Sequence, residues 1–349
     1  MVDIIRVLVV DDSAYVRKVV REMLSQSPFI EVVGAARNGV EALEMVESLR
    51  PDVVTSDLVM PELDGVGFVR EQMRRRAVPI VMMSSLNEGG LEALAALEAG
   101  AVDFVQKPTA LASEKMFQVR GRLIETIKTA AMIDPQRLLI TPAADEIVGT
   151  VQAAPSTQSD KFDAVVIGIS TGGPQALRFL IPQLPAVFPV PIAIVLHMPV
   201  GYTAMYAERL DEISKLAVIE AGEGSHFQPG TVLLAPAGKH LYLKRRDGGE
   251  VAATLSMRPP DTPHRPAVDV LFRSAAEVFG GRTLGIVMTG MGTDGRAGAT
   301  RIKETGGVVF AESEESCVVF GMPGAVVEAG LADRVVKLND MARVLLEAV

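Results

Sequence analysis

The sequence predicts an α/β protein with two doubly wound parallel-sheet domains joined by a linker. Short runs rich in Val, Ile, Leu and Met alternate twice along the chain with segments of helical period, which is typical of βαβ units around a parallel sheet. Between the two alternations, residues 141–160 are rich in Ala, Pro, Thr, Ser and Gln and lack this periodicity. A length of 349 residues also suits two domains of about 150 residues each. We therefore place the domains at 1–125 and 160–349, with the linker at 126–159.

The individual strands are predicted from the apolar runs. In the first domain they are Arg6–Val10, Glu31–Ala35, Asp52–Ser56, Ile80–Ser84 and Phe104–Gln106. In the second domain they are Asp163–Ile169, Ile192–Leu196, Val218–Glu220, Leu284–Met288, Val308–Ala311 and Arg334–Leu338. The turn signal Asp247-Gly248-Gly249 predicts an inserted β-hairpin region in the second domain. That region comprises Val232–Ala235, His240–Arg246 and Glu250–Met257.

The composition excludes several classes of protein. Hydrophobic residues make up 48% of the chain and charged residues 22%, as in average soluble globular proteins. The net charge of −9 disfavours binding to nucleic acid. Cys317 is the single cysteine, so neither a disulfide framework nor a site of several thiolates is expected. The apolar runs Ile4–Val10 and Ile181–Val200 are too short or too rich in proline for an export signal or a membrane span, and we expect a cytoplasmic protein without membrane insertion.

Polar side chains follow four strands of the first predicted sheet. In chain order they are Asp11, Asp12, Asp57, Ser84 and Lys107. Because ligands of open parallel sheets bind beyond the carboxyl ends of the strands, these side chains should meet in one crevice. Three carboxylates there would repel one another unless a hard cation such as Mg²⁺ held them, which makes Asp57 a candidate nucleophile for an aspartyl phosphate. Taken singly, each residue could instead cap a helix or line a solvated loop.

The first domain resembles the response-regulator receiver family. The resemblance rests on the motifs V-V-D-D-S, S-D-L-V-M-P-E-L-D-G, M-M-S-S and V-Q-K-P. It implies a flavodoxin-like fold in which Asp57 is the phosphoacceptor and Asp11 and Asp12 are Mg²⁺ ligands. The backbone carbonyl of Val59 would complete the metal site, although Val59 itself departs from the polar residue often found there.

The same resemblance implies a switch that responds to phosphorylation. Ser84 would be the hydroxyl that senses the phosphate, and Phe104 would be the rotating aromatic residue. Lys107 would be the cationic partner of the phosphate. Phosphorylation of Asp57 would then regulate the second domain.

A serine lies in a glycine-rich turn after the first strand of the second domain. The apolar run Phe162–Ile169 leads into Gly168-Ile169-Ser170-Thr171-Gly172-Gly173, and the helical pattern Pro174–Leu184 follows. In this context G-x-S-x-G exposes a serine hydroxyl at a helix N-terminus, where free N–H groups favour negative charge. Ser170 is therefore a candidate nucleophile. A helix-capping serine is the alternative interpretation.

A nucleophilic serine needs a base, and the chain contains four histidines. His197 alone directly follows a buried-type strand, at the carboxyl end where Ser170 also lies. The others fall in turn-like stretches or in a proline-rich loop, and they are His226, His240 and His264. A purely structural role for His197 is the alternative.

The third member of a triad is predicted after the strand Leu284–Met288. Asp294 lies in the glycine-rich turn Thr289–Gly295, where it could orient the imidazole of His197. It could also cap the helix Arg296–Glu304.

The turn that contains Asp294 also fits the dinucleotide-binding pattern G-x-G-x-x-G from Gly290 to Gly295. Glu312 lies near the separation expected for a ribose-binding acid. Only 59 residues follow Gly290, too few for the rest of a dinucleotide domain unless earlier strands are recruited. This alternative is therefore disfavoured.

Over almost its whole length the chain is similar to the chemotaxis protein-glutamate methylesterase family, CheB. The resemblance rests on the motifs G-I-S-T-G-G-P, L-H-M-P, P-G-T-V-L-L-A-P, H-R-P-A-V-D-V-L-F-R-S, M-T-G-M-G-T-D-G and V-V-F-G-M-P. It implies a Rossmann-like serine esterase domain with the triad Ser170, His197 and Asp294. The backbone N–H of Met291 would be an oxyanion donor, and Thr171 would assist near the histidine.

The resemblance implies an enzyme that demethylates glutamate methyl esters and deamidates glutamines on methyl-accepting chemotaxis receptors. A chemotaxis histidine kinase would be the phosphodonor, and no cofactor would be needed for the esterase chemistry. Two positions depart from the family pattern: Leu196 replaces a common glutamine, and Gly324 replaces a frequent basic residue. The competing class is a non-catalytic receiver-type regulator or phosphate sink with a degenerate hydrolase domain.

Overall fold

The computed structural model describes residues 4–84, 90–107, 113–139 and 161–349. Backbone contacts divide the chain into two compact units, Met1–Ile140 and Thr141–Val349. Residues 140–159 of the predicted linker lie outside the described residues. None of the helices described is long and apolar enough to cross a membrane.

Among the described residues of the first unit, five strands form one parallel sheet in the order β2-β1-β3-β4-β5. The strands are β1 Ile5–Val10, β2 Ile30–Ala36, β3 Val53–Asp57, β4 Ile80–Ser84 and β5 Asp103–Gln106. The helices are α1 Ala14–Leu24, α2 Gly39–Leu49, α3 Gly65–Arg75, α4 Gly90–Glu98 and α5 Ser113–Ala131, followed by a 3₁₀ turn at Pro135–Leu139. Each predicted strand is present, and the strand order is that of a doubly wound sheet.

The local sequence explains where the strands of this sheet end and where the following helices begin. Every residue of β3 and β4 is buried; β4 begins with the continuous apolar run Ile80–Met83, whereas β3 is apolar at Val53 and Val54 and polar toward its carboxyl end. Helices α1, α2 and α3, which follow β1, β2 and β3, begin at polar caps: the Ser13 hydroxyl accepts from Val16 N–H, the Asn38 amide oxygen accepts from Glu41 N–H, and the Asp64 carboxylate accepts from Gly67 N–H. The loops between strand ends and caps are therefore short, and they hold polar residues close to the sheet.

The second unit contains a seven-stranded parallel sheet, among its described residues, in the order β14-β13-β12-β6-β7-β9-β8. The strands are β6 Ala164–Ile169, β7 Ile192–Leu196, β8 Ala217–Glu220, β9 Thr231–Leu234, β12 Thr283–Val287, β13 Val308–Glu312 and β14 Arg334–Val336. The helices are α6 Gly173–Leu180, α7 Thr203–Glu212, α8 Val268–Phe279, α9 Arg296–Glu304, α10 Met322–Glu328 and α11 Leu338–Ala348. The predicted fold class, two parallel-sheet α/β domains, is confirmed.

The hairpin region required one correction. His240–Arg245 and Val251–Ser256 form the expected antiparallel pair, β10 and β11. The run Val232–Ala235 does not belong to it, because Thr231–Leu234 is strand β9, which pairs in parallel with both β7 and β8. Three consecutive buried residues, Val232 to Leu234, give β9 the continuous apolar pattern of a central parallel strand.

The strand order of the second sheet reverses at β6, which pairs with β7 on one side and with β12 on the other. These three strands are completely buried. The loops that leave their carboxyl ends begin at Ser170, His197 and Met288. Such a strand reversal is where open α/β sheets bind ligands.

Close packing of α8 on β6 gives the first prediction. An added Cβ at Gly168 would lie 2.2 Å from Val268 Cγ1 and 3.1 Å from Val268 Cβ. We expect Gly168→Ala to lower the free energy of unfolding by about 1–3 kcal/mol, because the helix must move away from the strand. Urea denaturation followed by far-UV circular dichroism measures this.

The control is Gly248→Ala in the β10–β11 turn, where an added Cβ meets no described atom within 4 Å. Its free energy of unfolding should stay close to wild type. Equal stability of Gly168→Ala and Gly248→Ala would contradict the packing described for β6.

Candidate functional site

The first unit places an ion-pair cluster at the carboxyl edge of its sheet. Asp57 ends β3, and its Oδ2 lies 2.6 Å from Lys107 Nζ. The same ammonium lies 3.0 Å from Asp11 Oδ2. The other oxygen of Asp57, Oδ1, accepts a hydrogen bond of 2.7 Å from Leu58 N–H. The structure therefore brings together the predicted phosphoacceptor, one predicted metal ligand and the predicted cationic partner.

Burial and charge act in opposite directions in this cluster. Burial raises the pKa of Asp57, and the hydrogen bond and charge of Lys107 oppose that shift without cancelling it. For Lys107, burial acts to lower the pKa, but the hydrogen bonds to Asp57 and Asp11 prevail and hold it above its usual value. Lys107 therefore stays protonated and places a positive charge beside the predicted phosphoacceptor.

The acidic residues of the cluster fit a divalent cation. Asp11, Asp12 and Asp57 each offer a carboxylate oxygen, and these oxygens lie within 4.8 Å of one another. Asp11 Oδ2 is buried and lies 3.0 Å from the Lys107 ammonium. Carboxylate oxygens are the ligands that Mg²⁺ prefers. The spacing of the three carboxylates suits such an ion.

The remaining receiver residues occupy different environments. Ser84 ends β4 and Phe104 lies in β5, and both are buried. The side chain of Val59 is exposed, so the departure at this position places an apolar group on the surface. Ser84 thus lies on the strand next to Asp57, as predicted.

In the second unit, strand register brings the serine and histidine loops together. Ile169 pairs with Leu196, so Ser170 and His197 are the next residues on two adjacent strands. His197 N–H donates to Ile169 O at 3.1 Å, and Ser170 N–H donates to Thr289 O at 2.9 Å. The loops after β6, β7 and β12 therefore meet at one place.

A side-chain hydrogen bond joins the predicted base to the predicted acid. His197 Nε2 lies 2.9 Å from Asp294 Oδ2, and both side chains are almost fully buried. His197 Nδ1 is buried and has no hydrogen-bond partner within the described residues. Because Nε2 is engaged with the carboxylate, Nδ1 is the ring atom that remains for proton transfer.

Asp294 is held by the start of α8. Its Oδ2 accepts from Val268 N–H at 2.8 Å, and its Oδ1 accepts from Asp269 N–H at 2.9 Å. Burial acts to raise the pKa of Asp294, but the hydrogen bond and charge of His197, with these two N–H groups, hold it below its usual value. Asp294 is therefore a stable carboxylate.

The alternative prediction, that Asp294 caps the helix Arg296–Glu304, is wrong because Asp294 caps a different helix. That helix is α9, and Asp269 Oδ1 receives its N-terminal N–H groups from Gly295 and Gly298, at 2.9 and 2.7 Å. Asp294 caps α8 instead. The two aspartates thus cap each other's helices, which links α8 and α9 at the site.

Glycine allows the loop after β12 to lie against Ser170. An added Cβ at Gly290 would lie 2.7 Å from Ser170 Cβ. Met291, the predicted oxyanion donor, is the next residue and is partly exposed. Thr171 is buried, and its carbonyl accepts a hydrogen bond of 3.0 Å from the Thr289 hydroxyl. These contacts place the predicted assisting residues in the same loop cluster as Ser170.

The ribose-binding role considered for Glu312 is excluded by its position. Glu312 ends β13 and is 0% exposed. Its carboxylate accepts hydrogen bonds from Thr289 N–H at 2.9 Å and from the Ser316 hydroxyl at 3.0 Å. It therefore supports the loop behind Ser170 and does not face a ligand.

Family models match both units of the chain. The CheB methylesterase model matches residues 165–345, and the response regulator receiver domain model matches residues 7–117. The chain belongs to the CheB methylesterase family.

Individual relatives agree with this assignment. Protein-glutamate methylesterase/protein-glutamine glutaminase 5 of Myxococcus xanthus is 49% identical over 98% of this chain and 97% of its own length. The corresponding protein of Thermotoga maritima is 43% identical over 99% of each chain. The crystal structure of the Thermotoga maritima CheB methylesterase catalytic domain is 46% identical and covers 54% of this chain and 99% of that domain, with a TM-score of 0.53.

The two departures from the CheB pattern lie inside the second unit. Leu196 is 0% exposed in β7, and an added Cβ at Gly173 would lie 2.7 Å from its Cδ1. Gly324 lies in α10, and an added Cβ there would lie 3.2 Å from Phe320 Cδ1. Neither position removes a member of the His197–Asp294 pair.

Sequence reasoning missed one residue of this CheB site. His264 stacks on His197, with ring centroids 4.1 Å apart and an interplanar angle of 18°. Its place in a proline-rich loop, and not directly after a predicted strand, gives no reason in the sequence to select it. The available signal was its place at the start of the motif H-R-P-A-V-D-V-L-F-R-S.

The buried carboxyl group of Glu312 generates a prediction about stability. Burial raises its pKa to about 7, from an ordinary value of 4.5. Between these two pH values the folded protein keeps a proton that the unfolded chain has lost, so the free energy of unfolding falls as pH rises. Above about pH 7 both forms are ionised and this contribution stays constant.

We expect Glu312→Gln, which keeps a neutral acceptor at this place, to lack this contribution. Relative to wild type, the variant should gain roughly 2–3 kcal/mol of stability between pH 5 and pH 8. Urea denaturation at each pH measures the difference, and Glu328→Gln on the exposed surface is the control. A Glu312→Gln curve parallel to wild type would show that Glu312 does not titrate in this range.

Proposed function

We propose that this chain is a phosphorylation-activated serine hydrolase that demethylates glutamate methyl esters and deamidates glutamines on chemotaxis receptors. The observation that carries the proposal is the hydrogen bond between His197 and Asp294 in the loop cluster of Ser170. Family membership and the names of the relatives support the same reaction. The receiver-domain match supports a chemotaxis histidine kinase as phosphodonor.

In the proposed reaction, His197 Nδ1 removes the proton of Ser170 Oγ as that oxygen attacks the ester carbonyl of a methylated glutamate. The imidazolium formed is stabilised by the carboxylate of Asp294. Its proton passes to the leaving oxygen, and methanol departs. Water then gives a proton to His197 and attacks the acyl-serine ester, and His197 passes that proton to Ser170 Oγ as glutamate leaves, which restores the serine. With glutamine as substrate, ammonia leaves in place of methanol.

The loop at Gly290 and Met291 is assigned to the oxyanion. Gly290 lies directly against Ser170, and the backbone N–H of the next residue, Met291, is assigned as the oxyanion donor. Backbone N–H groups fixed before the reaction stabilise the negative oxygen of the tetrahedral intermediate. Thr171, the residue after the nucleophile, is assigned an assisting role near His197.

In the first unit, Asp57 is assigned as the phosphoacceptor. Asp11, Asp12 and Asp57, with the carbonyl of Val59, would hold Mg²⁺, which neutralises charge on a transferring phosphoryl group. Lys107 already lies 2.6 Å from Asp57 and supplies a second positive charge. Ser84 on β4 and Phe104 on β5 are assigned the hydroxyl and aromatic parts of the response to phosphorylation.

The esterase assignment predicts the effect of removing the nucleophile. Ser170→Ala should lower methanol release from methylated receptor by about a thousandfold or more, because no covalent intermediate can form. Ser214→Ala, beyond the C-terminal end of α7, is the control and should keep wild-type activity. Equal activity in wild type and Ser170→Ala would rule out the serine mechanism, and an inactive wild type would favour the non-catalytic regulator.

The phosphoacceptor assignment predicts a loss of stimulation. Methanol release by wild type should rise when acetyl phosphate and Mg²⁺ are added, and Asp57→Asn should abolish the rise while basal activity remains. Asp52 lies before the first residue of β3, at the opposite edge from Asp57, and Asp52→Asn should respond like wild type. Stimulation that survives in Asp57→Asn, or that persists when EDTA removes Mg²⁺, would contradict this assignment.

A further inference from the structure

The loop Arg258–Ala267 is fixed to the hairpin by a buried histidine. His240 is 0% exposed in β10, and its Nδ1 accepts a hydrogen bond of 3.2 Å from Ala267 N–H. Since an N–H group can only donate, the ring proton belongs on Nε2, which lies 3.1 Å from Pro259 O and 3.2 Å from the Thr262 hydroxyl. Burial lowers the pKa of His240, which is consistent with this neutral form. One ring thus holds the loop at both of its ends.

Further hydrogen bonds hold the middle of the same loop. Gly238 N–H donates to Arg265 O at 2.9 Å, and the Arg265 guanidinium donates to Pro260 O at 3.1 Å. The Tyr242 hydroxyl donates to Arg258 O at 2.7 Å. His264 therefore lies on a loop whose backbone is fixed on both sides of it, and its ring is presented to His197 by a rigid support.

The segment that presents His264 also holds Asp294. Immediately after Ala267, the N–H groups of Val268 and Asp269 donate to the two oxygens of Asp294. One stretch of chain therefore makes two contacts at the site. His264 stacks on the face of the His197 ring, and the start of α8 binds the Asp294 carboxylate, which meets the edge of the same ring. The hydrogen bond fixes one nitrogen of His197, and the stacked ring fixes the plane in which the other nitrogen points.

We propose that His264 is a positioning residue for the catalytic histidine, acting through the stack of its ring on His197. It holds the ring plane in which Nε2 meets Asp294 and Nδ1 is left for proton exchange with Ser170. Part of its action is electronic, because an aromatic face stabilises an adjacent cation such as the imidazolium that forms during proton transfer. The inference rests on the proposed esterase function and adds a residue to its machinery.

The proposal predicts a difference between two substitutions. His264→Ala removes the ring and should lower kcat for methanol release by about 10- to 100-fold with little change in KM, because misplacement of a catalytic group affects the chemical step. His264→Phe keeps an aromatic face in the same place and should recover most of that loss. His226→Ala, a largely exposed histidine in the same unit, is the control and should match wild type.

A spectroscopic measurement tests the proposal independently of activity. The proton on His197 Nε2, in its hydrogen bond to Asp294, should give a downfield proton resonance in wild type, His264→Phe and His226→Ala. In His264→Ala that resonance should broaden or vanish through exchange with water. A resonance unchanged in His264→Ala would overturn the proposal, as would equal kcat in His264→Ala and wild type. Absence of methanol release in wild type would instead count against the esterase function, and the resonance would still decide the role of His264.

A double-mutant cycle tests the support of the loop. His240→Ala should act through His264, so the loss of kcat in the double variant should be smaller than the product of the two separate losses. Thermal unfolding of each variant identifies any that fail to fold, in which case the comparison of His264→Ala with His264→Phe decides alone. Independent, multiplicative losses would contradict the action of His240 through His264.

Discussion

The esterase site depends on one buried negative charge, the carboxylate of Asp294. A carboxylate removed from water takes up a proton unless hydrogen bonds and opposite charge stabilise its ionised form. Here the N–H groups of Val268 and Asp269, at the N-terminus of α8, and the ring of His197 supply that stabilisation. Because the charge persists, the imidazolium form of His197 has a partner at the moment when it is needed. The geometry of the site is thus set by the start of a helix as well as by the strand ends.

Three buried carboxyl groups of the protein show how partners decide protonation. Asp294 has an imidazole and two N–H donors, and its pKa is lowered. Asp57 has the Lys107 ammonium and a single N–H donor, and burial still raises its pKa. Glu312 accepts hydrogen bonds from an N–H group and a hydroxyl, no cation among the described residues contributes to its pKa shift, and its pKa reaches about 7. Positive charge alone does not set this order, because Asp57 lies beside the Lys107 ammonium but also beside the like charge of Asp11, which acts to raise its pKa, whereas Asp294 has two N–H donors as well as His197.

Much of this arrangement could be predicted from sequence because it follows from the ends of parallel strands. Ser170, His197 and Asp57 were found by asking which polar residues come directly after buried runs, and the structure places each of them at a carboxyl edge. The rule failed where the partner is distant in the chain. The strand at Thr231–Leu234 was assigned to the hairpin because a short apolar run carries no information about which strand it joins. Likewise, the cap formed by Asp294 crosses from one loop to another helix, and nothing local to its turn reveals that partner.

His264 shows the same limit more sharply. Its contact with His197 is a face-to-face stack between residues 67 positions apart, and neither strand periodicity nor helix spacing relates them. Strand register can bring two loops together, but it leaves each side chain free to rotate about its own bonds. The His197 ring is fixed at one atom, Nε2, and on one face. The groups that fix it come from outside the two strand-end loops: the loop held by His240 supplies His264, and the start of α8, which follows that loop, holds Asp294. Ser170 and His197 directly follow strands, whereas the groups that orient the histidine ring and its carboxylate partner come from the loop after β11 and from the start of α8.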